Sequence, residues 1–261
     1  MKSSKIVILT ALGACALALT ACGGQNQPVN PHSKTKQPDS VLVYKYYYDT
    51  GKKELYSKNF YTYDAAGNTI LAIEGDSKYE RTYDAAGNKT SETAYDNLGE
   101  AGRWYELYKL TYIYNEQNRV TQTTRFNPAG ENGVRDTSAV VYTVWKDLLQ
   151  SHSKQYTFGT LLSFEWDTYY TDFGRLEKQI LYDVRQDSTL TEVDRTDYTY
   201  DEHHNLIHYK RYNSQSNELY INQIYEYAYD KDGTILSSIR KDLDSDSNPK
   251  YPFEWHSVYY Y

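Results

Sequence analysis

One motif recurs along most of the chain and constrains the fold more than any other feature. It reads Tyr61-Thr62-Tyr63-Asp64-Ala65-Ala66-Gly67-Asn68 and again Arg81-Thr82-Tyr83-Asp84-Ala85-Ala86-Gly87-Asn88. It returns as Tyr227-Ala228-Tyr229-Asp230-Lys231-Asp232-Gly233, and as Tyr198-Thr199-Tyr200-Asp201 with His204-Asn205 in the Gly-Asn slot. Looser copies centre on Tyr47, Tyr114, Val144 (in Tyr142-Thr143-Val144), Tyr170 and Tyr259. Taking the second Tyr, or its equivalent, as anchor gives spacings of 16, 20, 31, 30, 26, 30, 29 and 30. A fixed period of this length is the mark of a repeat architecture.

The chemistry of the unit is legible. Before each anchor, alternate positions carry aromatics (Tyr225/Tyr227/Tyr229, Leu110/Tyr112/Tyr114, Trp255/Ser257/Tyr259), while the interleaved positions are more polar. Period two predicts a strand with one aromatic face. Asp-x-x-Gly-Asn then predicts a tight turn. Aspartate (Asp64, Asp84, Asp201, Asp230) bonds its own backbone, and glycine (Gly67, Gly87, Gly233) supplies positive φ. Asn118 and His204 suit the glycine slot, being residue types enriched at positive φ. Six past the anchor stands an apolar residue (Val120, Leu176, Leu206, Ile235), and twelve past it an aromatic followed by Asp or Asn (Tyr95, Phe126, Tyr182, Tyr212). Each long repeat is therefore a β-hairpin, and variable loops such as Pro128–Thr137 and Arg185–Val193 lead to the next. After residue 22 no window of a dozen residues shows helical periodicity. With 31 tyrosines, two cysteines, one methionine (the initiator) and a mean hydropathy of −0.80, most apolar surface belongs to side chains ending in a hydroxyl. The expected fold is all-β, with tandem β-hairpin repeats forming one continuous twisted or curled antiparallel sheet over residues 41–261.

The Tyr-x-Tyr-Asp-x-x-Gly-Asn pattern resembles the YD repeats (Rhs-type repeats) of bacterial surface proteins, toxins and teneurins. The resemblance runs from Val41 to the last residue and is sharpest at 61–68, 81–88 and 227–233. It implies β-sheet that spirals into a shell and a role at the cell envelope or surface. The period here is longer than that family's usual one, and residues 41–261 are too few to enclose a cargo, so toxin delivery is not expected.

The first 21 residues read as a signal peptide, with Lys2 and Lys5 ahead of an uncharged run from Ile6 to Leu19 that is short for a membrane span. Leu19-Thr20-Ala21-Cys22 resembles the lipobox of bacterial lipoproteins, which implies cleavage before Cys22 and acylation of its thiol, palmitate-like chains included. Leu12-Gly13-Ala14-Cys15 also fits the pattern but would leave a very short apolar region; an uncleaved anchor or plain secretion are the other readings. Cleavage before Cys22 removes Cys15 and leaves no pair for a disulfide. The mature chain keeps 35 acidic and 26 basic side chains, a net charge of −9, so membrane attachment is expected through lipid alone. Gly23 in place of an aspartate points to the outer membrane of a Gram-negative envelope. Residues 22–40 are the lipidated cysteine and a Gly/Gln/Asn/Pro-rich flexible tether, with ends roughly 20–25 Å apart.

The acidic balance argues against nucleic acid as a partner. His203-His204-x-x-x-His208 invites a metal reading, but a turn entering a strand points the first two to opposite faces. Asp242-Leu243-Asp244-Ser245-Asp246-Ser247-Asn248 copies the early oxygen spacing of a calcium loop, yet Ser247 and Phe253 stand where glycine and glutamate are needed. No catalytic or cofactor fingerprint is present. The turn aspartates recur in every unit, which suits a structural role and not an active site. The expectation is a non-enzymatic lipoprotein without cofactor or metal, its sheet serving as a structural or protein-interaction module. The alternative is a glycan- or peptidoglycan-binding module using exposed Tyr and Trp.

Overall fold

A computed structural model describes residues 37–98, 102–130, 133–157, 161–184 and 189–261. The expected signal peptide, the expected lipidation site Cys22 and the expected tether up to residue 36 lie outside the described residues. The described chain forms strands β1 (Ser40–Tyr47), β2 (Lys53–Tyr63), β3 (Thr69–Glu74), β4 (Ser77–Tyr83), β5 (Lys89–Asp96), β6 (Tyr105–Tyr114), β7 (Val120–Phe126) and β8 (Thr137–Trp145). They continue as β9 (Gln150–Thr157), β10 (Leu161–Tyr170), β11 (Leu176–Val184), β12 (Leu190–Tyr200), β13 (Leu206–Asn213), β14 (Glu218–Tyr229), β15 (Ile235–Asp242) and β16 (Phe253–Tyr260). No helix occurs among the described residues. Leu190 to Val193, expected in a loop, instead open β12.

Every strand pairs antiparallel with its neighbours in sequence, and the sheet does not end. β1 pairs with β16 from Ser40↔Tyr260 to Tyr47↔Phe253, closing a barrel of the sixteen described strands. The expectation of a continuous curled sheet is corrected to that extent: the sheet is continuous, but it has no open edges. Backbone irregularity supplies the curvature. Twelve of the sixteen pairings carry a register shift, and in the hairpins that turn at a Tyr-Asp or Tyr-Asn pair the shift falls beside the anchor, as between Thr82/Tyr83 and between Ile113/Tyr114. An extra residue at each such point bends the strand and increases its twist. Repeated around the wall, that bend brings the first strand to the last, and closure pairs the backbone groups an open edge would leave free.

Register assigns the faces. The anchor tyrosines share a face with Ala72, Ala94, Leu110, Val141 and Trp166, all buried. Side chains two strands apart meet on this face, as where the Tyr220 hydroxyl reaches Asp194 across β13. Such convergence marks the concave side. A row Tyr61–Ala72–Tyr79–Ala94–Tyr108 runs around this wall, each alanine roofed by the tyrosines paired to either side. The core is accordingly a lining and not a central nucleus. Its compact parts are Leu110, Tyr112 and Val120 with Tyr108 and Tyr114, and Val141 and Trp166 with Phe164 and Leu181.

The two rims differ. One carries the short Tyr-Asp turns; the other carries the longer connections, including residues 97–104, 127–136 and 243–252. Tyr47 and Gly51 belong to the second rim, although the motif groups them with the first: β1 ends where β2 begins its return. This explains the spacing of 16 between the first two anchors, which are the ends of adjacent strands. The spacing of 20 that follows reflects the tight Gly75-Asp76 connection, where Glu74 pairs directly with Ser77.

Candidate functional site

The turn residues are placed as the motif predicts, and their contacts are structural. The Asp84 carboxylate accepts backbone N–H bonds from Ala86 and Asn88 at 2.9 and 2.8 Å and a side-chain bond from Asn88 at 3.0 Å. Asp64 does the same with Ala66 and Asn68. These bonds, the side-chain amide of Asn88 foremost, hold the Asp84 carboxyl below the usual carboxylate range. Asp201 and Asp230 accept equivalent pairs of backbone bonds, and Gly67, Gly87 and Gly233 take φ of 88°, 82° and 81°. Asn118 (57°) and His204 (63°) fill the same slot.

The calcium-like segment is one more copy of this turn. Asp244 accepts from the N–H of Asp246 and Asn248, both at 2.9 Å, and Ser247 takes the positive φ at 66°. One of its carboxylate oxygens is therefore committed to backbone. The three histidines are occupied separately: His204 packs on Phe173, His203 on Tyr229, and His208 bonds Asn222 at 2.8 Å. Among the described residues no group of three or more His, Cys, Asp or Glu is placed to hold a metal ion.

A latch that the motif did not reveal joins successive repeats. The anchor hydroxyl of one unit donates to the backbone carbonyl six past the preceding anchor: Tyr83 to Thr69 at 3.0 Å, Tyr114 to Lys89 at 2.8 Å, Tyr200 to Leu176 at 2.6 Å. Tyr227 to Leu206 and Tyr261 to Ile235 repeat the contact from two residues to either side of the expected anchor. In the degenerate copy the anchor is Trp145, not Val144: its indole N–H reaches the Val120 carbonyl at 2.9 Å, whereas Val144 is exposed.

Two polar groups stand apart from the repeat logic. On the convex face His152 lies between Asp167 (3.0 Å) and Glu165 (2.9 Å), with Lys154 on Glu165 and Tyr182 on Asp167. Burial works to raise the Asp167 carboxyl, but bonds from His152 and Lys146 outweigh it and hold it low; burial and the Asp167 charge push the Tyr182 hydroxyl to about 12. On the concave face Glu92, 2% exposed, is held between Arg81 (2.8 Å) and Lys89 (3.1 Å). Both sets are strand neighbours that neutralise each other's charge, and neither places a nucleophile beside a base.

An aromatic group of exposed Tyr56 and Tyr251 with half-buried Phe253 and Trp255 sits at the rim of longer connections, on the seam between β1 and β16. Trp255 meets Tyr56 edge-on at 4.8 Å and Phe253 at 5.4 Å; Phe253 stacks on Tyr251 at 5.6 Å and meets Tyr47 at 5.7 Å. Tyr56, the bulged residue of β2, is 60% exposed. The Lys45 ammonium lies over the rings of Tyr56, Phe253 and Trp255 at 4.7, 4.9 and 5.1 Å. Arg240 covers Trp255 at 4.9 Å, and the Trp255 indole donates to Asp242 at 3.2 Å. The period-two rule finds Trp255 and Phe253; the seam that adds β1 and β2 to them has no local signal.

No family model matches the chain, and no curated protein does. Solved structures similar to it include a porin-like protein from Bacteroides vulgatus (12% identity, 87% of this chain and 99% of that one, TM-score 0.49). A porin-like protein from Bacteroides uniformis is similar at 11% identity, over 87% of this chain and 98% of that one, with a TM-score of 0.40. The Photorhabdus luminescens Tc holotoxin pore is similar at 13% identity, over 75% of this chain but 12% of that one, with a TM-score of 0.21.

Proposed function

We propose that the chain is a non-enzymatic cell-envelope lipoprotein, anchored through acylated Cys22, whose YD-like barrel is a structural or protein-interaction module standing clear of the bilayer. One observation carries this reading: charge interrupts both faces of the wall. The convex face presents Lys58, Glu80, Lys109, Lys154, Lys178, Asp197, Lys210 and Glu226 within its strands, with Lys178, Asp197 and Lys210 paired in a ladder. The concave face carries Arg81, Glu92, Arg125, Asp194, Arg211 and Arg240. A lipid-spanning barrel needs an outward apolar band about 25 Å tall, and a charged side chain at its midplane costs about 2–4 kcal/mol. Neither face offers that band. A wall of this kind requires a separate attachment, which the lipobox-like Leu19-Thr20-Ala21-Cys22 supplies.

Fractionation tests it. In a Gram-negative host the wild-type chain is expected in the membrane fraction, released by detergent, with a mature mass raised by its acyl chains. Cys22→Ser is expected to leave the acylated form unmade; membrane retention at an unchanged mature mass would sink the proposal.

A second reading, glycan binding through exposed aromatics, is favoured at one place. The Tyr63, Tyr83, Tyr114 and Tyr200 anchor hydroxyls are committed to backbone carbonyls, which makes their rings lining. The Tyr56, Tyr251, Phe253 and Trp255 group is different, since Tyr56 and Tyr251 are exposed and the group combines rings with cations.

A further inference from the structure

We propose that the β1–β16 seam at the rim of longer connections is a binding site for an acidic saccharide, a pyranose chain bearing carboxylates, with exposed Tyr56 as the stacking face and Lys45 as the charge partner. The proposal rests on the glycan-binding reading and adds the site and the ligand's charge.

Three features of the seam lead there. The first is the state of Lys45. Its ammonium is surrounded by three ring faces, and among the described residues no carboxylate lies within ion-pair distance of it. Its cross-strand neighbour Glu54 is bound instead by Lys52 at 2.5 Å. A cation resting on π-faces where solvent reaches it is held by the ring quadrupoles alone. That is weaker than a hydrogen-bonded carboxylate, so an incoming anion improves its environment. The second is Arg240. Its guanidinium lies over the Trp255 ring at 4.9 Å and contacts Asp242 at 3.4 Å, which sets a second cation beside Lys45 on the same aromatic group. The third is the geometry of the rings. Tyr56 projects from a bulge at 60% exposure, edge-on to Trp255, with exposed Tyr251 continuing the apolar surface beyond Phe253. The C–H face of a pyranose suits an exposed ring such as Tyr56, and its hydroxyls suit the Asp242 carboxylate, which already accepts from the Trp255 indole. At this patch Lys45 and Arg240 both lie over rings, and that local positive charge suits a ligand of opposite sign.

Placement agrees with access. The described chain enters the barrel at Ser40 on the rim of Tyr-Asp turns, and the seam cluster lies at the far end of β1. A lipid at Cys22 would therefore turn the cluster away from the membrane.

Isothermal titration of the full mature lipoprotein in detergent micelles tests the proposal, using trigalacturonate, neutral maltotriose and sodium acetate as separate probes. Trigalacturonate is expected to bind with Kd of about 0.1–1 mM and to weaken as salt rises. Acetate is expected to give no saturable heat, and maltotriose to bind at least tenfold more weakly. Tyr56→Ala, an exposed substitution that leaves the barrel intact by far-UV circular dichroism, is expected to weaken trigalacturonate about tenfold. Lys45→Gln is expected to remove its advantage over maltotriose. Equal binding of the two sugars would overturn the assigned charge and leave the glycan reading standing. Absence of binding by both would overturn site and glycan reading together, and unchanged affinity in Tyr56→Ala would overturn the location.

Discussion

At the residue scale, the aspartate of the repeat is a turn device, and its energetics follow from the bonds it accepts. Asp201 takes N–H bonds from His203 and Asn205 at 3.0 and 2.8 Å and the Tyr229 hydroxyl at 2.6 Å. Hydrogen bonds to a charged group each contribute about 1.5–3 kcal/mol, not additively. Asp201→Ala is expected to lower unfolding free energy by about 2–3 kcal/mol, read as a shift in the urea midpoint at unchanged slope. The paired acid effect has a definite sign. Because the folded Asp84 carboxyl is held low, its contribution is fully present above the ordinary carboxylate pKa of about 3.9 and is lost as pH falls through the lower folded value. Asp84→Asn is expected to flatten that part of the acid unfolding curve relative to wild type. This scale was the most legible in the sequence, because Asp and Gly act on backbone within four residues. The Asp244 copy is the exception: Ser247 hides the positive-φ slot, and the acidic neighbours suggest a cation instead.

At the scale of the element, hairpins were legible and their coupling was not. Alternation of Tyr225, Tyr227 and Tyr229 identifies a strand, but nothing local states that a hydroxyl two strands away will find a particular carbonyl. The latch is testable against its own repeat. Tyr114→Phe deletes the bond to the Lys89 carbonyl and keeps the ring, and is expected to cost about 1 kcal/mol in chemical denaturation. Tyr260→Phe, exposed on the convex side, is expected to be neutral within about 0.5 kcal/mol. Trp145 shows why the degenerate copy misled: an indole N–H performs the donation that the motif assigns to a phenol, one residue further along. Bulges escaped for a related reason. The residue pushed out of register, such as Thr90 or Thr121, carries no distinctive side chain.

At the scale of the whole molecule, closure and the tyrosine lining set the behaviour. Burial lifts the hydroxyls of Tyr108 and Tyr48 to about 12, and those of Tyr61, Tyr112, Tyr114 and Tyr227 higher. An unfolded tyrosine titrates near pH 10. The folded state thus retains protons that the unfolded chain releases, so stability is intact below about pH 10 and falls as pH climbs toward the folded values. Spectrophotometric titration at alkaline pH is expected to show many tyrosines ionising late and together with loss of the far-UV β signal; independent ionisation of nearly all of them near pH 10 would contradict a packed lining. Removing residues 250–261 is expected to expose the edges of β1 and β15 and to convert a monodisperse chain into self-associating material by light scattering. The sequence could not announce closure, since it rests on the summed twist of many small irregularities and not on any one motif.

The pairing of β1 with β16 also orders events in time. Neighbouring hairpins form from contacts close in sequence, whereas Lys45 meets Trp255 only after nearly the entire chain is in place. Long-range pairing of this kind is the slow step in β-rich folding. The aromatic seam is consequently the last part of the wall to exist. A chain caught before completion carries a finished set of turns and latches and no seam, so ligand capture there is a report that assembly has ended.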